Sequence, residues 1–140
     1  MLHPVDELRL TVDHVSLSVA DLARAKAFYA STLAPLGLGV VAELGPEITG
    51  TVACVGFGIG RKGTLWLAAH GAQTPASHLC FRARSRDEVR RFHAAALEAG
   101  GTDHGAPGVR ELYHPAYYAA FVLDPEGHNI EAVCFEAETD

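Results

Sequence analysis

The alternation of apolar and polar residues predicts a strand followed by a helix at the beginning of the chain. Residues 10–19 alternate as a strand does, with apolar positions 15, 17 and 19 on one face and the polar ones, including His14, on the other. Asp21 then favours the start of a helix over residues 22–33, whose apolar stripe recurs every three or four residues. Residues 39–43, 51–58 and 64–69, separated by Gly and Pro, predict three further strands.

The second half of the chain repeats this order. Residues 77–83 alternate with His78 on the polar face, and Ser85 favours the start of a helix over residues 86–99. Residues 105–111 are interpreted as a loop with at most a short strand. Residues 117–123 and 129–135 predict the last two strands, which the turn-forming residues 124–127 connect.

One constant shift along the chain relates the two halves. His14 and His78 are 64 residues apart, and the same shift aligns several other residues. These are the pairs Phe28 and Phe92, Ala30 and Ala94, Leu33 and Leu97, Gly37 and Gly101, Glu47 and Glu111, Phe57 and Phe121, Gly63 and Gly127, and Ala68 and Ala132. A register held over this length predicts a duplicated unit. We therefore expect an α+β fold in which residues 1–140 form a single domain, with one βαβββ module over about 10–70 and a second over about 76–136.

Composition and charge exclude some classes of function. The net charge of −6 disfavours nucleic-acid binding, which normally requires a basic face. No apolar run approaches the roughly 20 residues of a membrane span, and the first residues lack the order of a signal peptide. We expect a cytoplasmic protein without a membrane partner. The three cysteines lie in apolar runs without metal-type spacing, which predicts reduced, buried thiols.

Candidate metal ligands follow from the duplication. If a pseudo-twofold axis relates the halves, His14 and His78 come to equivalent places near it. Glu131 alternates with apolar residues in the last strand, where a carboxylate is costly to bury without a partner such as a metal. Two imidazoles and one carboxylate would leave open coordination positions, as catalytic metals require. The alternatives are ordinary hydrogen-bonded histidines and an exposed glutamate at a sheet edge.

The segment before the seventh strand is dense in titratable groups. Tyr113, His114 and Tyr117 are candidates for an acid, a base or a substrate-orienting group. The alternative is that they are packed aromatic rings with solvated tips. Trp66 is expected in the core, and Cys80 is expected to be a buried thiol without a role.

Several stretches together resemble the vicinal-oxygen-chelate superfamily, which includes glyoxalases, bleomycin-resistance proteins, fosfomycin-resistance thiol transferases and extradiol dioxygenases. They are VDHV at 12–15, DLARA at 21–25, FY at 28–29, SHL at 77–79 and FVLDPEGHNIE at 121–131. The resemblance implies two paired βαβββ modules that form a curved, mostly antiparallel eight-stranded cup around a divalent metal. It implies His14, His78 and Glu131 as the ligands, and often a site at a dimer interface.

The resemblance further implies an enzyme that acts on a small oxygen-chelating substrate with the metal, Zn, Ni, Mn or Fe, as a Lewis acid. Isomerisation, thiol addition and ring cleavage by oxygen all fit this site. The 64-residue shift places Leu67 where lactoylglutathione lyases carry a fourth ligand, a glutamate. A non-catalytic drug-binding protein of the bleomycin-resistance type and a protein with a vestigial site are the alternatives. We expect a homodimer, and pairing of the modules within one chain or across two remains open.

Overall fold

The computed structural model describes residues 12–137 and contains two four-stranded sheets. The first half consists of β1 (Val15–Ser18), α1 (Leu22–Leu33), a 3-10 turn (Ala34–Leu36), β2 (Gly39–Leu44), α2 (Pro46–Thr49), β3 (Cys54–Ile59) and β4 (Lys62–Ala68). The second half consists of β5 (His78–Arg82), α3 (Arg86–Glu98), β6 (Thr102–Val109), β7 (Tyr118–Leu123) and β8 (Asn129–Cys134). The predicted α+β class and the βαβββ order of each half are confirmed, with the strands divided into two sheets.

Each sheet joins its first strand to its last in parallel. The strand orders are β1-β4-β3-β2 and β5-β8-β7-β6, and every other pairing is antiparallel. A parallel pair needs a crossover connection, and here the helix and two intervening strands supply it. Residues far apart in sequence therefore become neighbours at the start and end of each half.

The helices cover one face of each sheet and also contact each other. Helix α1 begins where Asp21 accepts a hydrogen bond from Arg24 N at 3.0 Å, and α3 where Ser85 accepts one from Glu88 N at 3.1 Å, as predicted. Both helices bury their apolar stripes in one core, in which Phe28, Phe57 and Phe92 are at most 1% exposed. The predicted alternation of the strands is confirmed, because their apolar faces lie under the helices and the faces that carry the histidines lie opposite.

The turn before β8 connects the two halves. Tyr29 of α1 donates a hydrogen bond to Asp124 Oδ2 at 2.5 Å inside the core. Glu126 accepts bonds from the backbone N–H groups of Ala20 (2.7 Å) and Asp21 (3.1 Å), which precede α1. Buried His128 accepts a bond from Ser77 N at 2.9 Å through Nδ1. The turn thus attaches the second half to the start of the first helix.

The structure differs from the predicted local structure at several places. Residues 105–111 are not mainly loop, because β6 spans Thr102–Val109 and pairs with β7 despite its glycines and bulges. Helix α2 was not predicted, because Pro and Gly at its ends also fit a turn. Residues 10 and 11 of the first predicted strand lie outside the described residues. Of the three cysteines, all free, only Cys134 is buried, since Cys54 and Cys80 lie on the faces that the helices do not cover.

A membrane-spanning helix is not found within residues 12–137.

Tyr29→Phe should lower the free energy of unfolding by about 1.5–3 kcal/mol at pH 7, because it leaves a buried carboxylate oxygen of Asp124 without this donor. Urea unfolding measures the loss. Tyr113→Phe is the matched control, since Tyr113 is 70% exposed, and should change stability by less than about 0.5 kcal/mol. Equal effects of the two substitutions would contradict the role of the Tyr29–Asp124 bond.

The difference in the free energy of unfolding between the wild type and Tyr29→Phe should decrease above about pH 10. Burial, followed by the charge of Asp124, raises the pKa of Tyr29 well above its ordinary value. Near pH 10 the Tyr29 hydroxyl loses its proton in the unfolded chain but keeps it in the folded chain. The contribution of Tyr29 to the free energy of unfolding is therefore complete below that pH and decreases above it. Urea unfolding in steps from pH 8 to 11 measures the trend, and a constant difference would contradict the raised pKa.

Candidate metal and substrate site

The parallel pairing of β5 with β8 places His78 next to Glu131. In the strand register, Cys80 lies beside Glu131 and His78 lies beside Asn129. Because side chains two residues apart in a strand point to the same face, His78 and Glu131 share the face that α3 does not cover. His78 Nε2 lies 2.9 Å from Glu131 Oε1. The carboxylate side chain is only 3% exposed, whereas that of His78 is 51% exposed. A buried carboxylate thus meets an imidazole that remains open to a ligand.

Tyr117 contacts the same carboxylate from the other side. Its hydroxyl donates a hydrogen bond to Glu131 Oε2 at 2.5 Å. Its ring packs edge-on against Tyr113 at 5.2 Å and Phe135 at 5.3 Å, which holds the phenol in place. Desolvation, followed by the bond to Glu131, raises the pKa of Tyr117. Tyr117 is therefore a neutral donor to Glu131 at neutral pH.

The other two residues of the predicted catalytic segment lie further from the carboxylate. Tyr113 is 70% exposed, and its ring contacts that of Tyr117. The His114 ring packs against Phe135 at 5.8 Å, and its Nδ1 accepts a hydrogen bond from Ala116 N at 3.0 Å. The proposed roles of Tyr113 and His114 as an acid, a base or a substrate-orienting group stay a prediction.

His14 lies just before β1, and its side chain points to a neighbouring carboxylate. Its Nδ1 lies 2.7 Å from Asp13 Oδ2, and Asp13 also pairs with Lys62. These bonds to His14 and then Lys62 lower the pKa of Asp13. His14 also lines a cavity together with Leu79 and Cys80 of β5. Within residues 12–137, however, no three His, Cys, Asp or Glu side chains are arranged to hold a metal ion. The structure brings together two of the three predicted ligands.

The residue equivalent to Glu131 in the first half is Trp66, and the prediction of Leu67 at this place is wrong. Ser16 of β1 pairs with Trp66, just as Cys80 of β5 pairs with Glu131. The 64-residue shift relates β1 to β5, but the last strands require a shift of one more residue. Leu67 is 0% exposed in the core beneath α1. An indole, not an aliphatic side chain, therefore stands where a fourth ligand would lie.

Two residues near the candidate ligands were missed or misjudged from the sequence. Trp66 was expected in the core but is half-buried and lines a cavity with His14. Cys80 is exposed as a residue, but its thiol lies beside the buried carboxylate of Glu131. Desolvation of the thiol, followed by the charge of Glu131, raises the pKa of Cys80 to about 12. The period-two alternation correctly predicts that Cys80 shares the face of His78 and that Trp66 lies opposite Leu67, but alternation does not give the burial of a side chain.

Comparison with known proteins identifies the family. The model of the Glyoxalase/Bleomycin resistance protein/Dioxygenase superfamily matches residues 11–132, so the chain belongs to this superfamily. The predicted resemblance is confirmed. No protein of curated function matches the chain.

Solved structures agree with this assignment. A glyoxalase/bleomycin resistance protein from Albidiferax ferrireducens T118 is 28% identical with a TM-score of 0.69, over 87% of this chain and 96% of that protein. A glyoxalase/bleomycin resistance protein/dioxygenase family enzyme from Burkholderia phytofirmans PsJN is 20% identical with a TM-score of 0.66, over 89% and 98%. A lactoylglutathione lyase from Agrobacterium tumefaciens is 21% identical with a TM-score of 0.64, over 89% and 93%. The last two similarities show the fold alone.

Substituting glutamate at positions 66 and 67 tests the corrected register. Leu67→Glu should cost more than about 4 kcal/mol and abolish soluble folded protein, because it places a carboxylate in the core. Trp66→Glu should remain folded, because it places the same group on the cavity face. Soluble yield and urea unfolding report the difference. A stable Leu67→Glu variant beside an unfolded Trp66→Glu variant would reverse the assignment of the two faces.

Proposed function

We propose that the protein is a divalent-metal-dependent enzyme of this superfamily that acts on a small oxygen-chelating substrate. The ligands would be His14, His78 and Glu131, with Zn, Ni, Mn or Fe as the metal. The observation that carries the proposal is the buried carboxylate of Glu131, which lies between apolar Ile130 and Ala132 in β8 and contacts the imidazole of His78 in β5. A carboxylate in such a place requires a cationic or strongly hydrogen-bonding partner.

The donor set fits a catalytic metal better than a structural one. Two imidazoles and one carboxylate suit several divalent transition metals and leave positions open for substrate oxygens. When bound, such a metal would act as a Lewis acid and stabilise an oxyanion or enolate of the substrate. Tyr117 would hold Glu131 in one orientation through its 2.5 Å bond, while the half-exposed imidazoles would face the ligand.

The complete site is proposed to form between two chains. Two facts support this arrangement. Within the described part of one chain, no three donors are grouped for a metal, and His14 turns to Asp13. In addition, β1 and β5 each lie at one edge of their sheets, and the side chains of His14 and His78 are 53% and 51% exposed. His14 of one chain would meet His78 and Glu131 of a second copy.

A non-catalytic binding protein of the bleomycin-resistance type is the second candidate. The same lack of three grouped donors favours it, together with a largely apolar cavity that includes Leu44, Val52 and Trp66. Under this hypothesis the protein would bind a small apolar molecule without a metal.

Metal analysis of untagged protein purified without chelator separates these candidates. We expect roughly one ion per chain in the wild type and less than about one tenth of that in His78→Ala and Glu131→Gln, because each variant loses a ligand. His104→Ala and Glu98→Gln, both at exposed positions, should keep the metal. Wild-type protein that stays metal-free after incubation with each of the four ions would overturn the enzyme proposal and favour the binding protein.

Mixing two variants that each lack a different proposed ligand tests the shared site. His14→Ala and Glu131→Gln chains, unfolded and refolded together, should regain up to about one quarter of the wild-type metal content, because each mixed dimer contains one intact set of ligands. The separately refolded variants are the controls. If the mixture binds no more metal than the controls while refolded wild type binds fully, the ligands come from one chain.

A further inference from the structure

The imidazole of His14 is held by the carboxylate of the residue before it. His14 Nδ1 lies 2.7 Å from Oδ2 of Asp13. An ionised carboxylate can only accept hydrogen bonds, so this contact requires a hydrogen on Nδ1. A neutral imidazole carries hydrogen on one nitrogen only, and Nε2 therefore keeps its lone pair. The contact leaves Nε2 as the ring nitrogen that can bind a cation.

Lys62 holds the same carboxylate from the neighbouring strand. Its Nζ donates a hydrogen bond to Asp13 Oδ2, the oxygen that also faces His14. Lys62 is the first residue of β4, and β4 pairs in parallel with β1, where Val15 lies beside Leu65. The ammonium group thus reaches the residue two positions before β1. Asp13 is fixed to the sheet, and the ring of His14 is fixed through Asp13.

The other edge of the His14 ring remains available. Within residues 12–137, Nε2 of His14 has no hydrogen-bond partner, and the side chain is 53% exposed. His14 lines two cavities, one with Trp66 and one with Cys80. Exposed charge pairs contribute little to the stability of a folded protein, so stability does not account for this arrangement. A carboxylate on one nitrogen and an open second nitrogen are typical of a histidine that binds a metal.

The histidine of the second half is held differently. The 64-residue shift places Ser77 before His78, where the first half has Asp13 before His14. The carboxylate partner of His78 is Glu131 of β8, and the contact uses Nε2 rather than Nδ1. The orienting carboxylate next to the histidine in sequence therefore belongs to the first half.

We propose that Asp13 is a positioning residue for His14, which fixes the hydrogen on Nδ1 and orients the ring so that Nε2 can bind the metal. The inference rests on the function proposed above, since His14 is one of the ligands named there. Lys62 keeps Asp13 in place from β4. Asp13 acts only through His14 and contacts neither the metal nor the substrate.

Metal affinity tests this role. Ni²⁺ and Zn²⁺ are suitable probes, because sites of this kind bind them more tightly than Mn²⁺ or Fe²⁺. Titration calorimetry on chelator-treated protein should give a dissociation constant about 10 to 100 times higher for Asp13→Ala than for the wild type, as expected when a group that orients a metal ligand is lost. Asp13→Asn should lose less than about tenfold, because its amide oxygen can still accept the bond from Nδ1.

The matched control is Asp103→Ala. Asp103 is also an exposed aspartate in contact with a histidine, since its Oδ1 lies 2.8 Å from His93 Nε2. This variant removes one negative charge and one such contact, as Asp13→Ala does, and it should leave the metal affinity unchanged. An equal loss in both variants would indicate a general effect of charge and would overturn the role of Asp13.

The position of the hydrogen on His14 gives a readout that needs no metal. At about pH 9, where histidine side chains are neutral, long-range ¹H–¹⁵N NMR of the metal-free protein distinguishes Nδ1–H from Nε2–H. We expect Nδ1–H for His14 in the wild type and in Asp13→Asn, and a change toward Nε2–H in Asp13→Ala. The signals of His78 should be the same in all three proteins.

The outcomes separate this inference from the metal proposal. Unchanged metal affinity in folded Asp13→Ala, or Nε2–H on His14 in the wild type, would overturn the positioning role and leave the proposed function intact. Wild-type protein that binds no metal would overturn the proposed function. The NMR measurement would then still decide whether Asp13 sets the state of His14. It also decides this from the wild type alone if circular dichroism shows that Asp13→Ala is not folded.

Discussion

The parallel pairing between the first and last strands of each half is the constraint on which the site depends. It places β8 between β5 and β7, so that Glu131 lies next to Cys80 and close to His78, which is 53 residues earlier in the chain. An antiparallel meander could not bring these residues together, because it would pair only consecutive strands. The helix of each half, which makes the crossover possible, covers the opposite face and leaves the histidine face open.

Glu131 is a carboxylate at a buried position, where an unpartnered charge would be strongly unfavourable. The carboxylate is almost fully buried, yet His78 and Tyr117 contact its two oxygens. A charge with such contacts costs far less to bury than an isolated one. The aromatic contacts of Tyr117 with Tyr113 and Phe135 hold the donor in place, so the orientation of the carboxylate is set by neighbouring packing.

The two halves use one backbone plan for different purposes. At equivalent places, the first half carries Trp66 opposite Gly56, and the second carries Glu131 opposite Phe121. The indole fills the space above a glycine, whereas the carboxylate meets an imidazole. The turn at residues 124–128 joins these unequal halves through Tyr29 and the start of α1. At these equivalent places the duplicated frame thus carries an aromatic side chain in the first half and a carboxylate in the second.

The sequence by itself determined the βαβββ order of each half, the two helix starts at Asp21 and Ser85, and the faces on which His14, His78 and Glu131 lie. These depend on local periodicity and capping, which each segment carries in its own residues. The duplication and the family were likewise visible in the motifs. Only the tertiary structure decided that Trp66, not Leu67, matches Glu131, because strand register depends on pairing between distant segments and a slip of one residue reverses the face. The contact of Tyr117 with Glu131 and the position of His14 apart from that pair were also decided there, since side-chain contacts follow from packing that no single segment encodes.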